Sequence, residues 1–558
     1  MFEYLLITLL ILLSLHGYGL LISKIFIQEH KYLSISDTLI LSFFSLSFLT
    51  TFFHFFISIN NNFNLVLHFI GVFLNLLFFK DFKFKINKLK IFIIISLLFL
   101  SLIMFYGHNP NEDFGYYHLP YIVNLNSEKI IFGLSALQLS QGWNSMWLNL
   151  HSIFYLFEDN YRQLYILNSL FFIACSYFFI NEIINNYNKN KYENKILFLY
   201  SFVFLIYFII KFCRVNSYGI DVPGNYILII SILYFLKFIL FNEKKLLYFK
   251  LFVICLILSI TIRISNIPIS LLIFYGLYKI KFNKELIFSK FSIIVILFFS
   301  FWTIQQYIYT GCIMFPNKLT CLIEPSWFYE SFINEFKFHT YFVNKSFASY
   351  TGVKTLEEYH KNFYWIPTWF GRNLIEITEF LIAFLLPVLL LKIFSGRKKF
   401  LLKEIKYIYE FRVILLSIII CISVWFYNSP VIRMGNHFIM LLIFFSLYNF
   451  NFFHKYPYPF ENRKSYVIIF ILSTLFFINK NFNRINEINY QKNIWPNLMK
   501  VKFETENKFD LNLNRVIQTS EPKTQVCWAT KFVCRPGNFN DLVFKRNKYG
   551  YLFIFKVK

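Results

Sequence analysis

Long apolar runs dominate this chain, and polar residues interrupt them at intervals. About fourteen runs approach the roughly 20 residues that cross a bilayer. They lie at 4–27, 37–59, 63–79, 91–107, 161–184, 196–211, 224–241, 246–263, 266–280, 289–309, 374–393, 411–428, 433–450 and 465–479. The pattern predicts an all-α polytopic membrane protein. Several runs are short, near 15–17 residues, which leaves room for a merged or half-inserted segment. The first run opens Met-Phe-Glu, with no basic leader and no small-residue cleavage site after it, and is expected to stay as an anchor.

Between the runs lie two large loops, 108–160 and 310–373, and a polar tail, 480–558. From Gly142 to Phe157 apolar and polar residues mix at helical spacing, too short and too wet for a span. One or two helices lying in the membrane interface are expected there, with Trp143, Trp147 and Tyr155 at headgroup depth. The 310–373 loop carries Pro316, Pro325, Pro367 and many aromatics. Near the end, residues 542–555 read as two strands around a turn. The expected organisation is one membrane domain over 1–479 and a small extracytoplasmic α/β or β-rich domain over 480–558.

Composition agrees: 57% of residues are hydrophobic, 15% are charged and mean hydropathy is +0.52. The net charge of +25 resembles a nucleic-acid signal, but its placement argues otherwise. Basic residues crowd alternate short loops: Lys80 to Lys90, Lys189 to Lys195, Lys279 to Lys290, and Arg397 to Lys406. Positive-inside bias puts these loops in the cytoplasm and both termini outside. Both large loops, the tail and the 212–223 turn then face outward. Cys312 and Cys321 share one outside loop, Cys527 and Cys534 share the tail, and each pair is expected to form a disulfide. Cys175, Cys255 and Cys421 sit in apolar runs as small apolar residues, and Cys213 is left over.

The informative polar residues gather at the outer ends of the runs. Glu112 and Asp113 stand at the mouth of the fourth run, with His118 close behind. A carboxylate there can deprotonate an acceptor hydroxyl, or simply cap the next helix. Asp221 precedes Pro223 and Gly224 at the start of the seventh run. Arg263, Arg372 and Arg433 stand at ends of three other runs on that same face, where positive-inside bias disfavours arginine. Any one of them can snorkel to a headgroup. Several beside two acids suggest a phosphate site, because a guanidinium grips phosphate oxygens in a fork. His108, His118, His151 and Asp113 offer metal donors, but their spacing specifies no metal site. No Walker loop, dinucleotide turn, zincin helix or nucleophile elbow is present.

Several short segments carry a family resemblance. They are Asp113-Phe-Gly-Tyr-Tyr-His-Leu-Pro120, Gly142-Trp-Asn-Ser-Met-Trp147, Asp221-Val-Pro223, Arg263 to Pro268, Thr310 to Pro316 with Cys321, Pro430 to Gly435, and Cys527-Trp528 with Cys534. In this order they resemble a bacterial polytopic membrane family grouped with the GT-C glycosyltransferase superfamily. Trp143 stands where that family usually has Phe, and Asn216 to Gly219 replaces a small, Ser-rich run. The resemblance implies a GT-C-like fold in the bacterial inner membrane. It places the acidic catalytic position at Asp113, beside Glu112.

Two classes of function compete. The leading expectation is a transferase that moves a sugar from a polyprenyl-phosphate donor to a cell-surface glycan or lipid. Asp113 and Glu112 would be catalytic, and His118, Asp221, Arg263, Arg372 and Arg433 would bind substrate. The sequence specifies no cofactor, and a divalent metal is left open. The alternatives are a lipid-linked oligosaccharide flippase or other transporter, and a polysaccharide polymerase or ligase. Transporters place polar groups near the midplane, whereas here they sit at one face.

Overall fold

A computed structural model describes the chain except for residues 1, 28, 83, 85–86, 108–112, 158–160, 188, 190, 213–218, 323–324, 362, 395–407, 450–462, 488–504, 511–514, 521–533, 537–541 and 557–558. It is a helical bundle with a small amount of β structure near the C-terminus. Twelve described helices are long and apolar enough to cross a membrane. A thirteenth, Ile432–Asn449, has a shorter apolar stretch.

The remaining expected span, 266–280, the ninth along the chain, takes an unexpected form. Ile264–Ser270 is a 3-10 helix containing Pro268, and Leu271–Lys279 is a short α-helix. Proline at 268 has no N–H to donate, which disfavours regular α-helix there. A 3-10 helix rises about 2.0 Å per residue against 1.5 Å in an α-helix. The two pieces together therefore extend about 27 Å, close to the ~30 Å hydrocarbon core. The far end is pinned where Lys279 Nζ meets Glu410 Oε1 at 3.0 Å, in the first turn of Ile408–Asn428.

Local signals explain several helix starts. Ser34 and Asp37 form a reciprocal capping box on Ile35–His54. Asn60, Asn87 and Ser289 cap Asn61–Phe78, Lys88–Tyr106 and Lys290–Thr310 by accepting a backbone N–H. Ile166–Tyr187, Tyr192–Phe212, Asp221–Leu240 and Lys245–Ile262 form the buried centre. Asn61–Phe78, Lys88–Tyr106 and Trp365–Phe394 lie outside them and expose Phe69, Phe73, Leu76, Phe92 and Ile375, a surface that suits lipid.

The 142–157 segment corrects an expectation. Apart from Phe157 at its end, it does not lie on a surface. Met146–Ser152 is a helix whose seven residues are all buried in the protein. Trp147 packs its ring against Phe43 and Phe171. Several of the polar groups that made the segment look wet find partners inside the protein. Asn149 accepts from Tyr121 and donates to Thr51 and Gln305 at 2.8–2.9 Å. The carbonyl of Ser152 accepts from Asn64 and Asn126.

The last long helix, Arg463–Glu487, runs past the expected end at 479. Leu542–Arg546 and Leu552–Lys556 form the expected antiparallel hairpin. The hairpin docks on the first large loop through Phe132, whose N–H and carbonyl pair with Leu552 and Ile554. Arg546 grips Glu128 with two bonds of 3.0 and 3.1 Å. A separate three-stranded sheet holds Thr505–Asp510, Arg515–Ser520 and Cys534–Pro536. The Cys312–Cys321 disulfide is formed, and Cys175, Cys255 and Cys421 are buried free thiols. Cys213 and Cys527 lie outside the described residues, and with Cys527 the expected Cys527–Cys534 bridge.

Candidate functional site

A cavity of about 1020 Å³ opens at one end of the bundle. Asp113, His118, Asp221, Arg263 and Arg433 all line it, although up to 320 residues of sequence separate them. The four charged residues come from the ends of different elements. Asp221 opens Asp221–Leu240, where an acid suits the positive end of the helix. Arg263 follows the last residue of Lys245–Ile262, where a cation suits the negative end. Arg433 runs against that rule, in the first turn of Ile432–Asn449. Two carboxylates offset the mismatch.

Asp221 bridges both arginines. Its Oδ1 lies 2.7 Å from Arg263 Nη1, and its Oδ2 lies 3.1 Å from Arg433 Nε. Arg433 Nη2 then reaches Asp113 Oδ2 at 3.2 Å. The four groups form a chain, Arg263–Asp221–Arg433–Asp113, with balanced charge. Depth changes along it: the Arg263 side chain is 5% exposed, and the Arg433 side chain 51%. Arg433 Nη1 has no partner among the described residues.

Two close backbone approaches make the geometry. A side chain on Gly224 would meet Arg263 Cβ at 3.0 Å, so glycine lets these helix ends touch. A side chain on Gly435 would overlap the Trp425 ring at 2.2 Å. The indoles of Trp425 and Trp369 in turn donate to the carbonyls of Val431 and Pro430, which fixes the turn before Arg433.

Neutral polar residues hold the charged ones. Ser265 Oγ accepts from Arg263 Nε at 2.8 Å. Asn225 donates to the Arg433 carbonyl. Buried Asn266 joins Ser259, the Gly224 carbonyl and His437. The Gly142 to Ser145 turn forms another part of the wall: Gly142 accepts from Gln306, Asn144 donates to the Trp302 carbonyl, and Ser145 donates to the Ile262 carbonyl. Trp143 faces the cavity, edge-on to Phe336. Asn144, Ser145, Ser265 and Asn266 fall inside the segments that carried the resemblance, but their hydrogen-bond partners were not visible in the sequence.

His118 lies next to the acids, with Nδ1 buried and without a partner among the described residues. Burial pushes it down to about 4 against the pull of Asp113 and Asp221, so the imidazole is neutral near pH 7. Burial also raises the neighbouring Tyr117 hydroxyl, and the Asp113 charge adds to that.

Two expected site residues do not join. Arg372 is exposed and outside the cavity, where it donates to the Val343 carbonyl at 3.3 Å. Its place just before an apolar run was visible, but not its position within the helix Trp365–Phe394 or the side it occupies. Glu112 lies outside the described residues. Among the described residues no three His, Cys, Asp or Glu side chains gather to hold a metal. The cation between the two carboxylates is the protein's own Arg433, so this donor set does not fit a divalent ion.

No curated protein and no solved structure matches the chain. A family model described as a domain of unknown function, DUF8201, matches residues 1–440, and the chain belongs to that family.

Proposed function

We propose that this protein is a GT-C-like membrane glycosyltransferase of the bacterial inner membrane, with the cavity and both termini on the extracytoplasmic side. It transfers a sugar from a polyprenyl-phosphate donor to a cell-surface glycan or lipid. The observation that carries the reading is the Arg263–Asp221–Arg433–Asp113 chain at the wall of a cavity at one end of the bundle. An exposed guanidinium with a spare N–H suits a phosphate oxygen. A carboxylate beside it, one-third exposed, suits an acceptor hydroxyl. Trp143, Phe336 and Trp425 supply apolar faces for sugar and prenyl groups.

In this reading the acceptor O–H gives its proton to Asp113 while its oxygen attacks the anomeric carbon. The bond from that carbon to the phosphate oxygen breaks, and its electron pair leaves with the lipid phosphate. Arg433 stabilises the charge that develops there. Asp221 and Arg263 hold Arg433 in place. The charged groups sit at the bundle end, which favours transfer chemistry over a transporter's midplane site.

The test is sugar transfer by purified protein in detergent, with donor and acceptor lipids extracted from the native membrane. Asp113→Asn should fold as wild type and lose about 10²–10⁴-fold in rate, as expected for a lost general base. Near-full activity in that variant would remove Asp113 from the chemistry.

A further inference from the structure

The charges at the site cancel, so an arriving anion meets cations that are already taken. The bonds holding those cations are not equal. Arg263–Asp221 is the shortest contact, at 2.7 Å between mostly buried side chains. Arg433–Asp113 is the longest, at 3.2 Å, and joins the two most exposed side chains of the chain. Asp221 also pairs with Arg433 at Nε as a charge contact, on the edge away from Nη1, while Asp113 accepts a hydrogen bond from Nη2. The more buried Asp221 charge thus stays beside one edge of the guanidinium, while the terminal nitrogens face the more exposed Asp113 and are the easiest to release.

We propose that Arg433 exchanges partners. The donor phosphate takes the terminal nitrogens of Arg433 and displaces Asp113, and the freed carboxylate is then available to the acceptor hydroxyl. Asp221 keeps Nε in place throughout, so the guanidinium does not swing away with its new ligand. Donor binding thereby arms the base, and the donor binds before the acceptor reacts. A carboxylate released only when the donor is present takes a proton only when a sugar is there to receive the oxygen. This inference rests on reading the cavity as a phosphate site.

Farnesyl phosphate, a soluble prenyl monophosphate, separates the two claims when its binding to the full-length protein in detergent is measured by calorimetry. Removing the competitor should tighten binding, so Asp113→Asn gains about two- to fivefold, the range of an exposed ion pair. Asp221→Asn should weaken binding, because Arg433 loses its anchor. A site governed only by net charge would tighten in both variants, and that result overturns the exchange. Unchanged or weaker binding in Asp113→Asn overturns it too, and leaves the phosphate site standing. No binding by wild type removes the phosphate site itself, and the exchange with it. If Asp221→Asn does not fold, a double-mutant cycle decides. Asp113→Asn should tighten binding in wild type and have no effect in an Arg433→Gln background; equal effects in both backgrounds overturn the exchange.

Discussion

Arg263 and Arg433 both bind Asp221, yet they differ in depth, and depth sets what each contributes. Removing one member of a buried ion pair leaves its partner charged and desolvated, at a cost of about 3–5 kcal/mol. An exposed pair contributes about 0–1 kcal/mol. Arg263→Ala should therefore lower thermal stability in detergent far more than Arg433→Ala, which should fold normally and lose function. Equal destabilisation by the two would show that depth does not divide their roles. Asp113, Asp221, Arg263 and Arg433 were legible in the sequence because charges at the ends of apolar runs are few and costly. Ser265 and Asn266 lay inside a resemblance segment, yet their positioning role was not legible, because nothing local distinguishes a neutral polar residue that positions an arginine. Arg372 was misplaced, since a residue's position along a helix does not fix which side of the bundle it faces.

At the scale of elements, the cavity wall from Thr340 to Asn344 depends on the residue after it. Lys345 is buried, donates to His360 Nε2, and lies 4.9–5.1 Å from the ring centres of Tyr341, Trp365 and Tyr427. It ties the wall to the helices Trp365–Phe394 and Ile408–Asn428. Burial lowers the Lys345 ammonium from 10.5 to about 8. Between those values the unfolded chain keeps a proton that the folded chain has lost. The Lys345 contribution to stability therefore rises with pH across that window, and below it the buried charge is a standing cost. Thermal unfolding at pH 7.5 and pH 10 should show wild type gaining relative to Lys345→Met, in which that titration is absent. A constant difference between the two proteins would refute this. The same scale shows where pattern reading stopped. The 142–157 segment read as interfacial because sequence cannot tell a wet face from a face that meets buried amides. The 266–280 run read as one span because apolar length does not reveal a 3-10 turn.

For the whole molecule, the hydrophobic pattern located nearly every long helix. Fourteen apolar stretches were expected, twelve helices among the described residues have spanning length, and the other two stretches are helical but shorter. The alternation matters more than the count. It predicted that residues 113, 221, 263 and 433 would share one face, and all four line one cavity. What a one-dimensional pattern lacks is distance, so the shared Asp221 and the order of the ion pairs appear only in three dimensions. The central claim is that this cavity transfers a lipid-linked sugar. It is tested most directly by mass spectrometry of lipid-linked sugars and surface glycans from a deletion strain carrying wild-type or Asp113→Asn protein. Wild type should restore a glycan residue missing from the deletion strain, while Asp113→Asn leaves it missing and the lipid-linked donor accumulates. Full restoration by Asp113→Asn, or glycans and donors unchanged by the deletion, would contradict the account.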